Sequence, residues 1–324
     1  MTPALVTIGM TTYNAAETVA RAVRSARDQN YSHVEIVVVD DASTDTTWEI
    51  LNTLKESGPV PLTLFRNEKN EGVAVTRNRL IDQASGDFIV FFDDDDESLP
   101  DRVSAQIAAI ERYEQNYAQG APVICHTART QIFPDGTTTY IGTMGCVGDN
   151  IPAPSYHDVA RAILFNDPVP GGNGAMATCS QAARVSTYRA CRGFDPSFRR
   201  SEDTEFCLRL ALAGGHFIGL ETPFVRQHMT SAADKKIHDE RVYALKIYQK
   251  HEPFLIAENR GHFDCDWLEM KHDYLERKTR SFFCRLMRLI ITHPVLSIRK
   301  ICRALPNYRA SRQLRTFHEQ AKSS

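Results

Sequence analysis

The sequence predicts an α/β fold, with a mostly parallel sheet flanked by helices, from three observations. Short apolar segments alternate with amphipathic ones along the first third of the chain, as β-α-β units require. The apolar segments are rich in valine and isoleucine, which is typical of parallel strands buried on both faces. Acidic or polar residues directly follow several of them, and such sheets bind ligands beyond the carboxyl ends of their strands.

The individual elements follow from hydrophobic spacing and flanking residues. Strands are predicted at 5–10, 34–40, 62–65 and 87–92. One helix is predicted to begin after Asn14, and a second is predicted to end at residue 55. Two more are predicted over 73–84 and from Pro100 to about Tyr117. We expect Asn14 to cap the first helix because Glu17, three positions later, completes a capping box. A hairpin over 123–141 and a helix from near Ser201 to Gly214 follow.

Length and composition indicate a globular protein with one large domain or two modest ones among its 324 residues. We expect a nucleotide-binding and catalytic domain over 1–232 and a helical C-terminal extension over 233–324. No run of eighteen apolar residues predicts a membrane-spanning helix, and the N-terminus lacks the pattern of a secretory signal. The eight cysteines form no C-x-x-C pair, so we expect reduced thiols in a cytoplasmic protein.

A run of four aspartates, 93–96, directly follows the apolar segment "FIVFF". Asp40 and Asp41 follow a neighbouring strand in the same way. Carboxylates gathered at one sheet edge repel each other unless a cation lies among them. A hard cation, Mn²⁺ or Mg²⁺, shared between carboxylates and the phosphates of a ligand fits this set of oxygens. The alternative is a solvated loop at a helix N-terminus, where acidic residues are common.

Five segments of this chain resemble, in order and spacing, the family 2 glycosyltransferases of the Rossmann-like GT-A fold. They are "TTYN", "VVVDDASTD", "NEGVAVTRN", "GDFIVFFDDDDESLPDR" and "SEDTEFCLRL". The resemblance extends from about residue 5 to residue 228. It implies metal-dependent transfer of a sugar from a nucleotide-sugar donor to an acceptor hydroxyl, with inversion at the anomeric carbon.

The resemblance assigns five residues to the nucleotide. Thr11 and Tyr13 match positions at the base, where Tyr13 can stack on the ring. Asp41 matches a carboxylate that accepts a hydrogen bond from the imide N–H of uracil, so a UDP-sugar donor is expected. Arg77 matches a basic residue of the nucleotide pocket, and Asp94 lies near the ribose.

The resemblance also implies a metal site. Asp93 and Asp95 match the two acids of the D-x-D motif, and Asp95 is expected to ligate Mn²⁺ or Mg²⁺ directly. His228 matches a position near the metal or the diphosphate, and neutral imidazole is a good ligand for Mn²⁺. A lone histidine is also common as a structural residue. Asp96 is expected to help cap the next helix.

Asp203, in "SED", matches the general base that takes the proton of the acceptor hydroxyl. From the residues alone it is equally a helix-capping acid, and Glu202 is the neighbouring alternative. The glycine-rich segment around Gly172 and Asn173 would let the backbone approach a donor or acceptor sugar closely. An ordinary flexible loop is the alternative for that segment.

The C-terminal part of the chain is strongly basic. Residues 277–315 hold eleven Lys and Arg and no Asp or Glu, which leaves a balance of −13 for the remainder. Over 277–291 the apolar side chains Phe282, Phe283, Leu286, Leu289 and Ile290 fall on one side of a helix, and Arg277, Lys278, Arg285 and Arg288 fall on the other.

This pattern is typical of a helix on an anionic membrane surface, which would place the enzyme on the inner face of the cell membrane beside a lipid-linked acceptor. Packing on the protein and a dimer contact are the alternatives. Aromatic residues are too sparse in the segment to favour a nucleic-acid partner.

Two rival functions follow from the same residues. A nucleotidyltransferase that makes sugar nucleotides also uses an α/β fold and a carboxylate-bound metal. It usually has a glycine-rich basic loop after the first strand, where this chain has "TTYNAAE". A non-catalytic nucleotide- or glycan-binding module would keep the nucleotide pocket without needing Asp203.

Overall fold

The computed structural model describes residues 3–58, 60–148, 150–229 and 237–304. The chain forms two compact units, with the boundary after Met229. The predicted boundary at 232/233 lies among residues 230–236, outside the described residues, and stays a prediction.

The first unit alternates strands with helices. Its strands are β1 (Val6–Thr12), β2 (Val34–Asp40), β3 (Leu62–Arg66), β4 (Phe88–Asp93), β5 (Glu97–Ser98), β6 (Val123–Ile132), β7 (Thr138–Ile141), β8 (Gln181–Arg184) and β9 (His216–His228). Its α-helices are α1 (Val19–Arg27), α2 (Thr47–Lys55), α3 (Val73–Gln83), α4 (Arg102–Tyr113), α5 (Tyr156–Phe165), α6 (Val185–Ala190) and α7 (Glu202–Leu212). The four predicted strands and the hairpin of β6 and β7 are present.

One sheet joins these strands in the order β3-β2-β1-β4-β8-β6-β9-β5, with β7 paired to β6. β1, β2, β3 and β4 are parallel, which confirms the predicted fold class. The short strand β8 runs antiparallel between β4 and β6, and the long strand β9 runs parallel to β6. Neither β8 nor β9 was predicted. The register places Thr11 beside Asp93 and Thr12 beside Asp40, so these residues share one sheet edge.

The core of this unit forms where α1 and α4 cover one face of the sheet. Val19, Val23 and Ala26 of α1 are fully buried with Ile8 and Phe88 of the strands. They recur at the helical spacing that predicted α1, because only one face of that helix meets the sheet. The resulting packing fixes the strand ends that carry the acidic residues.

Two predicted helix ends differ from the structure. Asn14 does not cap α1; it takes a left-handed conformation, and its Oδ1 accepts a hydrogen bond from the Thr44 N–H at 2.8 Å. Asparagine tolerates that conformation because its short polar side chain bonds locally. The helix predicted to reach about Tyr117 ends as α4 at Tyr113, and residues Glu114–Ala118 form a π-helical turn.

The second unit is helical in its described part. Its helices are α8 (Ile237–Lys250), α9 (Glu252–Ala257), α10 (Phe263–Leu275), α11 (Thr279–Thr292) and α12 (Pro294–Ala304). Phe263, Met270 and Leu289 form its small core. Trp267, Phe282, Leu286 and Leu296 pack against them. One part of the apolar side predicted for α11 therefore lies inside this unit.

Helix α10 presents acidic residues to the basic residues of α11 and α12. Arg285 lies 3.1 Å from Asp273 and 3.5 Å from Asp266, measured between nitrogen and carboxylate oxygen. Arg288 lies 2.6 Å from Asp266 in the same way. Arg285 is therefore paired within this unit and only 26% exposed. The anionic membrane surface predicted for the basic side of α11 stays a prediction. No described helix is both long and apolar enough to cross a membrane.

Candidate active site

A cavity of about 400 Å³ opens at the sheet edge where β1, β2 and β4 end. Seven residues predicted for the nucleotide and the metal line it: Thr11, Tyr13, Asp41, Arg77, Asp93, Asp94 and Asp95. Residues from four distant segments meet here because the carboxyl ends of parallel strands share one edge. Asn70, Thr76 and Arg199 also line the cavity and were missed from the sequence. For Asn70 and Thr76 the signal was available, since both lie within "NEGVAVTRN".

Asp41 is buried at the base of this cavity and is held by three protein donors. Its Oδ1 accepts hydrogen bonds from the Asn67 side-chain amide at 2.7 Å and from the Glu71 N–H at 2.9 Å. Its Oδ2 accepts one from the Gly72 N–H at 2.9 Å. A carboxylate offers about four acceptor positions, so roughly one remains for a ligand.

Tyr13 lies at the rim of the cavity with 46% of its surface exposed, as a ring that stacks on a base would. Its backbone N–H donates to Asp94 Oδ2 at 3.1 Å. Burial raises the pKa of Asp94 to about 7, and the negative charges of Asp95 and Asp93 add to the increase. A cation in the cavity would favour the ionised form of all three.

Arg77 is buried in the wall between the cavity and helix α7. It pairs with Glu202, and its Nη2 lies 3.4 Å from Asp93 Oδ1. Burial alone would lower the pKa of Arg77, but the carboxylates of Glu202 and Asp93 raise it. Burial in turn raises the pKa of Glu202 against the opposing effect of Arg77. The guanidinium thus balances part of the acidic run and connects it to the "SED" segment.

The sequence predicted that Asp96 helps to cap the next helix, but Asp96 does not cap α4. It is buried, and its Oδ1 accepts a hydrogen bond from the His228 N–H at 3.1 Å, which ties the acidic run to the end of β9. Burial raises the pKa of Asp96 to about 8, with Asp93 and Asp95 adding to the increase and Arg129 opposing it. Sequence reasoning missed this because it did not predict β9.

Arg102 fixes the two ends of the acidic run. It is fully buried, and its Nη2 donates to the Phe91 carbonyl at 2.8 Å while its Nη1 donates to Ser98 Oγ at 2.8 Å. Phe91 precedes the four aspartates and Ser98 follows them. A side chain bonded on both sides of the run holds the backbone that positions the carboxylates.

The carboxylates of this edge fit a divalent cation. Asp93, Asp96 and Cys179 each place one potential ligand atom within 4.8 Å of the others. Asp96 Oδ2 is buried without a hydrogen-bond partner among the described residues, and a cation would satisfy it. Burial raises the pKa of Cys179 well above its usual range, and a soft thiol is a poor ligand for a hard cation. Oxygen ligands of this kind suit Mg²⁺ or Mn²⁺.

Five predicted site residues do not line the cavity. Glu202 forms an ion pair with Arg77, as described above. Asp203 lies in the first turn of α7 and is half-buried; its Oδ1 accepts hydrogen bonds from the Thr204 N–H at 2.6 Å and the Thr204 hydroxyl at 3.2 Å. His228 Nε2 lies 3.0 Å from Glu97 Oε1. The roles of these residues as base and metal ligand stay predictions.

The other two predicted residues that do not line the cavity are Gly172 and Asn173. They belong to a loop that forms hydrogen bonds within itself. The Asn173 side-chain amide donates to the Asp167 carbonyl at 2.8 Å, and its Oδ1 accepts from the Val169 N–H at 3.2 Å. Gly172 has a φ of +80° and its N–H donates to the Val169 carbonyl at 3.0 Å. The loop is therefore shaped by its own hydrogen bonds, and a contact with a sugar stays a prediction.

The sheet edge, the cavity and the carboxylates together form a pocket whose oxygen atoms suit a divalent cation. The sequence model of "Glycosyl transferase family 2" matches residues 7–168, half of the chain. The chain belongs to this family, and the predicted family is confirmed.

Two curated relatives show what the chain resembles. The amylovoran biosynthesis glycosyltransferase AmsB of Erwinia amylovora is 27% identical over 246 residues, which cover 75% of this chain and 76% of AmsB. The UDP-Glc:alpha-D-GlcNAc-diphosphoundecaprenol beta-1,3-glucosyltransferase WfaP of Escherichia coli is 37% identical over 107 residues. That match covers 33% of this chain and 41% of WfaP, so it spans less than half of the relative.

Solved structures confirm the GT-A fold. The S. aureus TarS fragment 1–349 in complex with UDP-GlcNAc superposes with a TM-score of 0.60 at 18% identity, covering 98% of this chain and 91% of that one. The mannosyltransferase PcManGT from Pyrobaculum calidifontis, in complex with GDP-Man and Mn²⁺, gives a TM-score of 0.55 at 17% identity. It covers 98% of this chain and 86% of that one.

Proposed function

We propose that this glycosyltransferase moves a sugar from a UDP-sugar to a hydroxyl of a lipid-linked glycan, with inversion, during synthesis of a bacterial cell-surface polysaccharide. The observation that carries the proposal is the cavity at the sheet edge, where Asp41 lies across from Asp93, Asp94 and Asp95. The Asp41 carboxylate suits a hydrogen bond from the base. The other three carboxylates suit the ribose and the cation that would bind the diphosphate of a nucleotide donor.

The relatives support the substrate classes. AmsB is named for amylovoran biosynthesis, and WfaP is named for transfer of glucose from UDP-Glc to a diphosphoundecaprenol-linked sugar. The TarS structure holds UDP-GlcNAc. A lipid-linked acceptor would bring the enzyme to the inner face of the cell membrane as a peripheral protein.

In the proposed donor complex, the last acceptor position of Asp41 takes the imide N–H of uracil, and Tyr13 stacks on the ring. Asp93 and Asp95 would hold Mn²⁺ or Mg²⁺, and His228 or Asp96 would complete or support the ligand set. When bound, such an ion stabilises the negative charge of the departing diphosphate as a Lewis acid.

Arg199 is the residue we assign to the diphosphate. Of the described residues that line the cavity, Arg77 and Arg199 are the arginines, and Arg77 is already shared between Glu202 and Asp93. Arg199 is exposed and has no ion pair with a described residue. An unpaired guanidinium can bind phosphate oxygens bidentately without first breaking a protein contact.

Asp203 is the proposed general base. The acceptor oxygen forms a bond to the anomeric carbon as the bond to the diphosphate oxygen breaks, and the hydroxyl proton passes to the Asp203 carboxylate. Glu202 is less suited to this role because Arg77 occupies it in a buried ion pair. Attack from the face opposite the leaving group inverts the anomeric carbon.

The proposal is tested by turnover and by binding. A thermal-shift series with UDP, GDP, CDP and TDP in the presence of Mn²⁺ should show the largest stabilisation with a uracil or thymine nucleotide. Transfer from the matching nucleotide sugar to a polyprenyl-diphosphate sugar should then be detected. Formation of a nucleotide sugar from a nucleoside triphosphate and a sugar phosphate would instead identify a nucleotidyltransferase, and binding without either reaction would identify a binding module.

A further inference from the structure

Helices α11 and α12 leave a row of large apolar side chains exposed, which we call the apolar ridge. It consists of Phe283, Met287, Ile291, Val295 and Ile298, each between 53% and 73% exposed. Phe283, Met287 and Ile291 follow one another at intervals of four along α11, and Val295 and Ile298 are three apart on α12, so each helix carries its part of the ridge on one side. Most of the ridge was not part of the apolar side predicted from the sequence.

The ridge is separate from the face that holds α11 in its unit. Phe282, Leu286 and Leu289 face the small core with Phe263 and Met270. None of the five ridge residues belongs to that core or is among the side chains packed directly against it, although Phe283 contacts Phe282 edge to face. Exposing five large apolar side chains in one segment is unusual unless a further surface covers them.

The charged residues of the segment that carries the ridge are of one sign. Arg280, Arg288 and Arg299 are exposed beside it, and residues 277–304 contain no Asp or Glu. Arg288 pairs with Asp266 of α10, whereas Arg280 and Arg299 have no ion pair with a described residue. The surface that covers the ridge should therefore combine apolar material with negative charge.

A second copy of this chain fits that requirement poorly. Two ridges placed face to face would bring their arginines together, with no acidic residue in the segment to offset the repulsion. An anionic lipid surface fits both requirements, since acyl chains accept the apolar side chains and headgroups accept the arginines. Because α11 has 14 residues and α12 has 11, they can lie on the bilayer but not cross it.

We infer that the apolar ridge is a membrane-docking surface, which inserts Phe283, Met287 and Ile291 among anionic lipids and places Arg280 and Arg299 at headgroup level. The inference rests on the proposed function in one respect, which is that docking would bring the enzyme to a lipid-linked acceptor. The surface that docks is the ridge, not the basic side of α11, because Arg285 of that side is paired with α10.

Flotation of the full chain with vesicles tests the inference. The protein should float with phosphatidylcholine–phosphatidylglycerol vesicles and much less with phosphatidylcholine alone. The triple variant Phe283→Gln, Met287→Gln, Ile291→Gln should lower the partition coefficient roughly a hundredfold. The variant Arg280→Gln, Arg299→Gln should weaken binding to anionic vesicles alone, and about 0.5 M salt should weaken the wild type in the same way.

A matched control is the variant Val242→Gln, Ile256→Gln, which removes two exposed apolar residues of the same unit outside the ridge. It should float like the wild type. If the ridge variant floats normally, or if it instead converts a dimer to a monomer in sedimentation, membrane docking is wrong. UDP binding is measured separately on the wild type. If the wild type binds UDP but does not float with anionic vesicles, the ridge inference is rejected and the proposed function stands, whereas failure of the wild type to bind any nucleotide rejects the proposed function.

Discussion

Arg77 of helix α3 forms a buried ion pair with Glu202 of helix α7. The pair connects the helix that borders the nucleotide cavity to the helix that begins with Asp203, and the same guanidinium reaches Asp93 of β4. Two sequence motifs 125 residues apart are thus held at a fixed separation by one side chain. Five predictions follow: four concern this pair and the groups of the candidate site, and one concerns a buried histidine on β6.

Replacing Arg77 by Gln should destabilise the fold by about 3–5 kcal/mol, because it leaves Glu202 as a buried charge without its partner. Urea unfolding at pH 7 measures the change. The double variant Arg77→Gln, Glu202→Gln should recover part of the loss, since neither charge then remains. If the two single changes were simply additive, the pair would not be the source of the effect.

Replacing Asp203 by Asn should lower the transfer rate about 10²–10⁴-fold, because the amide cannot take the acceptor proton. UDP affinity should stay within about twofold, since Asp203 does not line the cavity. Asp158→Asn, which changes an exposed acid in the first turn of α5, is the matched control and should leave transfer unchanged. Normal transfer by the Asp203 variant would overturn its assignment as the base.

Single alanine substitutions in the acidic run should separate metal binding from nucleotide binding. Asp95→Ala should raise the Mn²⁺ concentration needed for half-maximal UDP binding at least about tenfold. Asp94→Ala should raise it less, because Asp94 is assigned to the ribose. Titration of Mn²⁺ at fixed UDP provides the comparison, with Asp82→Ala on the exposed side of α3 as control. An equal or larger effect at Asp94 would reverse the assignment.

Replacing Arg199 by Gln should weaken binding of UDP about tenfold and leave binding of uridine unchanged, because the guanidinium is assigned to the diphosphate. Calorimetric titration with both ligands distinguishes this from damage to the cavity, which would weaken both. Arg24→Gln removes an exposed arginine of α1 and should have no effect on either ligand. Unchanged UDP binding by the Arg199 variant would show that another group holds the phosphates.

His126 should make the fold sensitive to acid. It is fully buried on β6, and burial, with the charge of Arg129, lowers its pKa to about 3. The unfolded chain binds a proton at His126 below about pH 6.5 and the folded chain does not, so the stability it contributes is lost as the pH falls. The free energy of unfolding should fall by up to about 1.4 kcal/mol per pH unit below 6.5 from this group.

The change His126→Gln isolates that contribution. The difference in unfolding free energy between wild type and variant should shrink from pH 7 to pH 4.5, because the variant has no imidazole to protonate. A difference that stays constant over this range would mean that His126 is protonated in the folded state. Urea unfolding at several pH values gives both curves.

The parallel half of the sheet and its acidic edge could be predicted from the sequence because their signals are local. The apolar segments that became β1, β2, β3 and β4 are continuous runs, and each is followed at once by its polar residues. Given parallel strands, the meeting of Thr11, Asp41 and Asp93 at one edge follows from topology alone.

The other parts of the fold and of the site could not be predicted, because most of them depend on contacts between distant segments. Strand β8 has four residues, too few for a periodic pattern, and the role of Asp96 depends on β9, which ends 132 residues later in the chain at His228. Arg285 looked like a free surface charge because the acidic partners on α10 are only visible in three dimensions. Arg199 carried no local signal, since a single arginine in a loop is ordinary.

If Asp41 binds the base as proposed, it also determines which bases are excluded. After its bonds with Asn67, Glu71 and Gly72, the remaining acceptor position can be satisfied only by a ligand that carries a hydrogen there. Uracil and thymine carry one at N3, whereas cytosine has a lone pair at that position and would leave both atoms buried without a partner. In the proposed donor complex, the hydrogen bonds that fold the loop between β3 and α3 would therefore also discriminate against cytidine-linked donors, and this selectivity would be established when the chain folds.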